Sequence, residues 1–187
     1  MQKFICVDCG TYCGYSALVL SSTLREIANE LQNSTISEDE EIIDETFEFH
    51  IYTTEVSLKL ANVAQSVFRM AKMEQVITPI LMKADGKESL SAALKENGVT
   101  GVDFLLLDHA KNLYLSDVKD LEAAGLLKAG SRVAADNVVF NKLDSYRYHM
   151  EMQQAKGIVE TRLDEMNLEY SSNLKDGIEM TLYVKDP

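Results

Sequence analysis

Five short apolar runs separated by stretches with helical spacing constrain the fold of this chain more than any other feature. Each run has the length and composition of a buried strand. Alternation of such strands with helices predicts a parallel sheet with helices on both faces. The predicted strands are residues 3–8, 47–53, 76–82, 102–108 and 131–136, and the predicted helices include residues 15–31, 56–72 and 114–127.

The C-terminal part of the chain has a different pattern. In residues 177–185, GIEMTLYVK, apolar and polar side chains alternate, which is typical of a half-exposed strand. We expect this strand to pair antiparallel with one around residues 164–171. The predicted fold class is therefore α/β, a doubly wound, Rossmann-like sheet that is mostly parallel with an antiparallel C-terminal strand.

A single domain spanning residues 1–187 is expected, because 187 residues with 46% hydrophobic content can close one substantial core. The acidic segment at residues 33–45, NSTISEDEEIIDE, interrupts the pattern with six carboxylates and is interpreted as a solvated loop insertion. A calcium loop would need a glycine at its bend, and this segment has none.

Charge and length exclude several classes of protein. The formal charge of −12 repels phosphate backbones and anionic lipids, so neither nucleic acid nor a membrane is an expected partner. No apolar run approaches the roughly 20 residues that span a bilayer. Three cysteines do not form a disulfide framework, and no signal sequence precedes them. A cytoplasmic protein is therefore expected.

All three cysteines lie in one glycine-containing stretch, FICVDCGTYCGYSAL, at residues 4–18. An acidic residue at a strand end followed by Gly10 and Gly14 at a helix start is typical of a turn that binds a nucleotide-like ligand, although a plain turn has the same pattern. A zinc or iron–sulfur site is the third interpretation. Zinc would need a fourth ligand, and no two histidines stand at ligand spacing.

Acidic residues follow three further predicted strands. Glu55 has the position from which a carboxylate binds ribose hydroxyls, or it caps the next helix. Asp108 and Asp136 end two apolar strands, and Asn137 follows directly. Their three oxygens suit Mg²⁺, whereas each aspartate alone would more simply cap a helix. Lys111, three residues beyond Asp108, is a candidate base or a surface lysine.

The chain resembles the catechol O-methyltransferase family of magnesium-dependent enzymes that use S-adenosylmethionine. The likeness rests on four segments: GTYCGYSAL at 10–18, TTEVS at 53–57, LLLDHAKNLYLSDVKDLEAAGLLKAGSRVAADNV at 105–138, and KDGIEMTLY at 175–183. This resemblance implies a Rossmann-like methyltransferase sheet. It also implies the transfer of a methyl group from S-adenosylmethionine to a hydroxyl of a catechol-like diol.

The resemblance also implies roles for individual residues. The methionine part of the cofactor would be surrounded by Gly10, Tyr12 and Ser16. Asp108 would serve both cofactor and metal, while Asp136 and Asn137 would complete the Mg²⁺ ligands. Glu55 would hold the ribose, His109 would lie beside the adenosine, and Lys111 would accept the hydroxyl proton.

The sequence departs from the family in three places. The family's helices ahead of the first strand have no counterpart, Ala110 stands where the family has tryptophan, and Glu169 matches the substrate-binding glutamate only out of register. An open site of this kind implies weak turnover, a different acceptor or coverage by a second chain. The alternative function is a non-catalytic binding or partner-docking module with the methyltransferase fold.

Overall fold

The computed structural model describes residues 3–34, 47–83, 88–168, 171 and 173–187. Strands and helices alternate along them, with one short 3-10 helix at Lys111–Leu113. The strands are β1 (Phe4–Cys9), β2 (Phe49–Glu55), β3 (Ile77–Leu81), β4 (Phe104–Leu107), β5 (Arg132–Ala135), β6 (Val159–Asn167) and β7 (Lys175–Tyr183). The α-helices are α1 (Tyr15–Ser34), α2 (Leu58–Met70), α3 (Leu90–Glu96), α4 (Tyr114–Ala123) and α5 (Asp144–Ala155).

The seven strands form one sheet in the order β3-β2-β1-β4-β5-β7-β6. The first five strands are parallel, and β7 runs antiparallel to both β5 and β6. The predicted α/β class, mostly parallel with an antiparallel C-terminal strand, is therefore confirmed. β7 lies between two strands rather than at an edge, yet its burial still alternates along its length.

Several element boundaries differ from the predicted ones. β2 extends to Glu55, so this residue ends the strand instead of following it. α4 ends at Ala123, four residues early, because Gly125 has a φ of +68°, which interrupts helical geometry. Helices α3 and α5 were not predicted. The predicted acidic insertion at residues 33–45 lies outside the described residues, apart from the backbone of its first two, which end α1.

Two apolar clusters lie against the sheet. One contains residues of α1 and α2 and includes Phe68 and Ile51, both 1% exposed or less. The other contains residues of α3, α4 and α5 and includes the fully buried Tyr114 and Met150. The helices cover both faces of the sheet. The loops that follow β1, β2, β4 and β5 therefore lie together at the carboxyl ends of these strands. None of the helices among the described residues is long and apolar enough to cross a membrane.

Candidate active site

A cavity of about 690 Å³ opens at the carboxyl ends of the central parallel strands. This is the edge at which open α/β sheets bind ligands. Five of the residues proposed from the sequence line it: Gly10, Tyr12, Glu55, Asp108 and His109. Ser16, Lys111, Asp136 and Asn137 do not line this cavity, and the contacts below show how they are connected to it.

The turn after β1 requires its two glycines. Gly10 has a φ of +110°, and a Cβ there would lie 2.7 Å from the Asp108 carbonyl oxygen. Gly14 has a φ of +90°, and a Cβ there would lie 2.5 Å from the Phe68 ring. Both positions therefore combine left-handed backbone with close approach of a neighbouring element, which only glycine accommodates.

Glu55 connects this turn to the start of α2. Its Oε2 accepts the Tyr12 backbone N–H at 2.9 Å, and its Oε1 accepts the N–H groups of Val56 and Ser57, each at 2.9 Å. The N-cap of α2 itself is Ser57, whose Oγ accepts from Leu60. Glu55 thus supports the helix start, as the capping interpretation expects, while its carboxylate also lines the cavity.

Asp8 is a buried carboxylate directly behind the turn. Its Oδ2 accepts the Ser16 hydroxyl at 2.9 Å and the Thr53 hydroxyl at 2.7 Å. Its Oδ1 has no hydrogen-bond partner among the described residues. Burial raises the pKa of Asp8, and the hydrogen bonds from Thr53 and Ser16 only partly offset this. A cationic group beside Oδ1 would offset the free-energy cost of burying this carboxylate in its charged form.

His109 lies beside the glycine turn and is held by its neighbours. Its Nε2 is 2.7 Å from Asp117 Oδ2, and its ring stacks on Tyr114 with centroids 5.2 Å apart. The buried Nδ1 has no hydrogen-bond partner among the described residues. Asp117 therefore fixes the orientation of the imidazole ring.

Lys111 is bound at the end of β4. Its Nζ donates to Asp108 Oδ1 at 2.8 Å and to the Tyr114 hydroxyl oxygen at 2.8 Å. The Tyr114 hydroxyl in turn donates to the Leu107 carbonyl at 2.6 Å. Lys111 is consequently held against Asp108, which is the residue that also lines the cavity.

Asp136 and Asn137 follow the adjacent strand β5. The Asp136 N–H donates to the Leu107 carbonyl at 3.0 Å, which places Asp136 beside Asp108 at the sheet edge. Burial raises the pKa of Asp136, and the nearby Asp108 carboxylate raises it further. A nearby cation would offset this unfavourable effect on the charge of Asp136. Lys111 is one such cation, and its charge lowers the pKa of Asp136.

Asn137 has a φ of +59°, which asparagine tolerates better than most residues. Its side-chain Nδ2 donates to Asp176 Oδ2 at 2.8 Å, and its N–H donates to Asp136 Oδ1 at 2.8 Å. Within the described part of the chain, no cluster of three or more His, Cys, Asp or Glu side chains is placed to hold a metal. The candidate set Asp108, Asp136 and Asn137 contains only two such residues, because its third ligand is an amide oxygen.

The three cysteines are free thiols. Burial raises the pKa of Cys6 to about 12 and raises that of Cys9 well above the usual range. Thiols that resist ionisation are poor metal ligands, because the thiolate is the ligand. The site is therefore better described by its oxygen atoms than by the cysteine spacing of the same turn.

Four residues with site contacts were not assigned a role from the sequence. They are Thr53, Tyr114, Asp117 and Asp176. The sequence pattern included Asp8 only as the acidic residue at the end of the strand that precedes the glycine turn. Asp117 and Tyr114 lie within the long family-like segment, and Asp176, which reaches the site from β7, lies within the family-like segment KDGIEMTLY. Glu169 lies outside the described residues.

Comparison with known proteins agrees with these observations. No family model matches the chain. A probable O-methyltransferase of Mycobacterium tuberculosis is 28% identical over 174 residues, covering 92% of this chain and 65% of that protein. Bovine catechol O-methyltransferase is 26% identical over 182 residues, covering 97% of this chain and 57% of the bovine protein. The sequence is similar to catechol O-methyltransferases over most of its length.

Solved structures share the fold of this chain. The crystal structure of the O-methyltransferase TomG from Streptomyces achromogenes, in complex with SAM, superposes with a TM-score of 0.68 at 18% identity, covering 97% of this chain and 74% of that one. The chain therefore has the O-methyltransferase fold. It spans about three fifths of the length of the mycobacterial and bovine relatives compared above.

Proposed function

We propose that the chain is a magnesium-dependent O-methyltransferase that moves a methyl group from S-adenosylmethionine to a hydroxyl of a catechol-like diol. The position of Asp108 is the observation that carries this proposal. It lines the cavity and also binds Lys111 at 2.8 Å beside Asp136. A cofactor pocket and a proton-accepting, metal-binding cluster would thus share one carboxylate.

The chemistry of the cavity fits S-adenosylmethionine. The unpartnered Oδ1 of Asp8 suits the ammonium group of the methionine part, near Gly10, Tyr12 and Ser16. Glu55 would accept the ribose hydroxyls, and His109 would lie beside the adenosine. A sulfonium cation is also favoured by the charges that line the cavity. Among the described residues these are the carboxylates Glu55, Glu88, Asp108, Asp117 and Asp120 and the one lysine Lys83.

Asp108, Asp136 and Asn137 would hold Mg²⁺, because hard oxygen donors are the ligands that it prefers. The observation that supports this assignment is the position of Asp136 and Asn137 beside Asp108, at the ends of the neighbouring strands β5 and β4. When bound there, Mg²⁺ would hold both oxygens of the diol and favour ionisation of the attacking hydroxyl.

The chain's own residues would contribute alignment and proton transfer. Lys111 Nζ would accept the hydroxyl proton, and its contacts with Asp108 and the Tyr114 hydroxyl fix its position. The glycine turn and Glu55 would hold the sulfonium methyl in line with the attacking oxygen. In favourable cases such alignment lowers a barrier by roughly 7 to 11 kcal/mol.

Three further assignments belong to the proposal. Residues 1–187 form a single methyltransferase domain with an acidic loop insertion at about 33–45. The partner is a small-molecule catechol or related diol, with neither nucleic acid nor a membrane. The protein acts in the cytoplasm.

Incubation with labelled S-adenosylmethionine, a panel of catechols and Mg²⁺ tests the activity directly. We expect label transfer to at least one diol and its loss on addition of a chelator. Absence of transfer from protein shown to bind the cofactor would contradict the enzymatic proposal and favour the non-catalytic binding module. Transfer that withstands chelation would remove the metal assignment and leave the methyltransferase assignment intact.

Asp8→Asn is expected to change cofactor affinity and protein stability in opposite directions. Because the pKa of Asp8 is raised in the folded state, its charge costs stability above the folded pKa, and this cost disappears as pH falls. The amide removes the buried charge, so we expect about 1 kcal/mol more stability at neutral pH, a rise in Tm of about 2–4 °C. S-adenosylmethionine affinity should fall about tenfold or more, since the ammonium loses its carboxylate.

Calorimetric binding and thermal melts at several pH values check this prediction. The gain in Tm should shrink as the pH is lowered, because the parent carboxyl then becomes neutral. Thr53→Val is the matched control, because it removes one donor to Asp8, keeps the carboxylate and lies outside the cavity lining. Unchanged cofactor affinity in Asp8→Asn would contradict the assignment of Asp8 to the ammonium group.

A further inference from the structure

We propose that Asp176 is a positioning residue that orients the Asn137 amide, so that its oxygen, and not its nitrogen, faces the metal site. This inference rests on the proposed function, because Asn137 is one of its three metal ligands. Asp176 lies on β7, outside the loops that supply the ligands, and it is 3% exposed.

The hydrogen bonds at Asp176 divide between its two oxygens. Oδ1 accepts the backbone N–H groups of Phe140 at 3.1 Å and Gly177 at 2.8 Å. Oδ2 accepts Asn137 Nδ2 at 2.8 Å. At each of these three hydrogen bonds Asp176 is the acceptor. Asp176 is therefore a fixed carboxylate that only accepts hydrogen bonds.

Because Asp176 only accepts hydrogen bonds, it binds the nitrogen of the Asn137 amide and leaves the amide oxygen facing the site. Amide nitrogen and oxygen have nearly the same shape, so packing alone does not distinguish the two orientations. With Nδ2 on Asp176, Oδ1 has no hydrogen-bond partner among the described residues and is available as a ligand. The reverse orientation would bring two oxygens together at Asp176 and present an N–H₂ group to a cation.

Asp176→Asn tests whether Asp176 sets the orientation of the Asn137 amide, because it exchanges an acceptor for a donor and hardly changes the shape of the side chain. Its oxygen can keep the two backbone donors, so its new amide nitrogen would face Asn137 Nδ2, and two donors cannot bond. We expect the Asn137 amide to rotate and metal affinity to fall about 10- to 100-fold, as for other residues that orient metal ligands. Mn²⁺ is the probe, and its free fraction is measured by electron paramagnetic resonance during titration of the folded protein.

The double variant Asn137→Asp with Asp176→Asn restores the pair with donor and acceptor exchanged. The new amide at 176 donates to one carboxylate oxygen at 137, and the other oxygen again faces the metal, with the net charge of the parent. We expect Mn²⁺ affinity within a few-fold of the parent. The exposed Glu160→Gln, on β6, is the control for loss of one negative charge, and it should bind Mn²⁺ as the parent does.

The outcomes separate this inference from the proposed function. Parent-like binding by Asp176→Asn, or failure of the double variant to recover while its melting curve matches the parent, would overturn the positioning role and leave the metal site in place. A parent protein that binds no Mn²⁺, with or without S-adenosylmethionine, would overturn both the metal assignment and the role of Asp176. A role confined to folding would lower Tm without changing Mn²⁺ affinity, which would also overturn the inference.

Discussion

Asp136→Ala is expected to abolish magnesium-dependent methyl transfer while leaving S-adenosylmethionine binding nearly unchanged. Asp136 does not line the cofactor cavity, yet it stands beside Asp108 at the ends of β4 and β5. Its loss removes a carboxylate ligand and with it the means of holding both diol oxygens. A metal contributes several kcal/mol to such a reaction, which corresponds to a rate reduction of about a thousandfold.

Rates measured across a series of Mg²⁺ concentrations, together with calorimetric binding of S-adenosylmethionine, check this prediction. The matched control is Asp164→Ala, which removes a half-exposed aspartate of β6 paired with Arg162. The control should retain the parent rate. A variant at Asp136 that keeps both its rate and its response to Mg²⁺ would contradict the metal assignment and would direct attention to metal-independent transfer.

The sheet could be predicted from the sequence because its strands are buried apolar runs. Each of the five parallel strands coincides with a predicted run to within a few residues. Helix α3 was missed because it has only seven residues, and its start depends on Ser89 as the N-cap and on Asp120, which binds Ser91 N–H at 2.7 Å. That second contact joins residues 29 positions apart, so local periodicity cannot reveal it.

The candidate site could be predicted in part for a related reason. Asp108, Asp136 and Glu55 end neighbouring parallel strands or directly follow them, and parallel topology alone brings such residues to one edge. Tyr114 and Asp176 act through contacts that depend on the packed tertiary structure. Asp176 reaches Asn137 across 39 positions because β7 inserts beside β5, an arrangement that alternation within residues 177–185 does not specify.

Lys111 is the second residue whose replacement should nearly eliminate activity. Lys111→Met removes the proton acceptor, and Lys111→Arg keeps a positive charge that can pair with Asp108 but cannot give up its proton. If Lys111 acts as the base, both variants should lose about 10²- to 10⁴-fold in kcat with little change in S-adenosylmethionine affinity. If only its charge matters, Lys111→Arg should remain active while Lys111→Met does not.

A change of acceptor gives an independent test of the same role. A diol that carries an electron-withdrawing nitro group ionises at lower pH, so it has less need of a protein base. Both variants should therefore recover a large part of their rate with this acceptor, and their rates with ordinary catechols should rise with pH more steeply than that of the parent. Because Lys111 is bound through Tyr114 to the Leu107 carbonyl, Tyr114→Phe should lower kcat about tenfold and keep the pH dependence of the parent. Full activity in Lys111→Arg, or no recovery with the nitro diol, would show that Lys111 supplies charge to Asp108 and does not accept the proton.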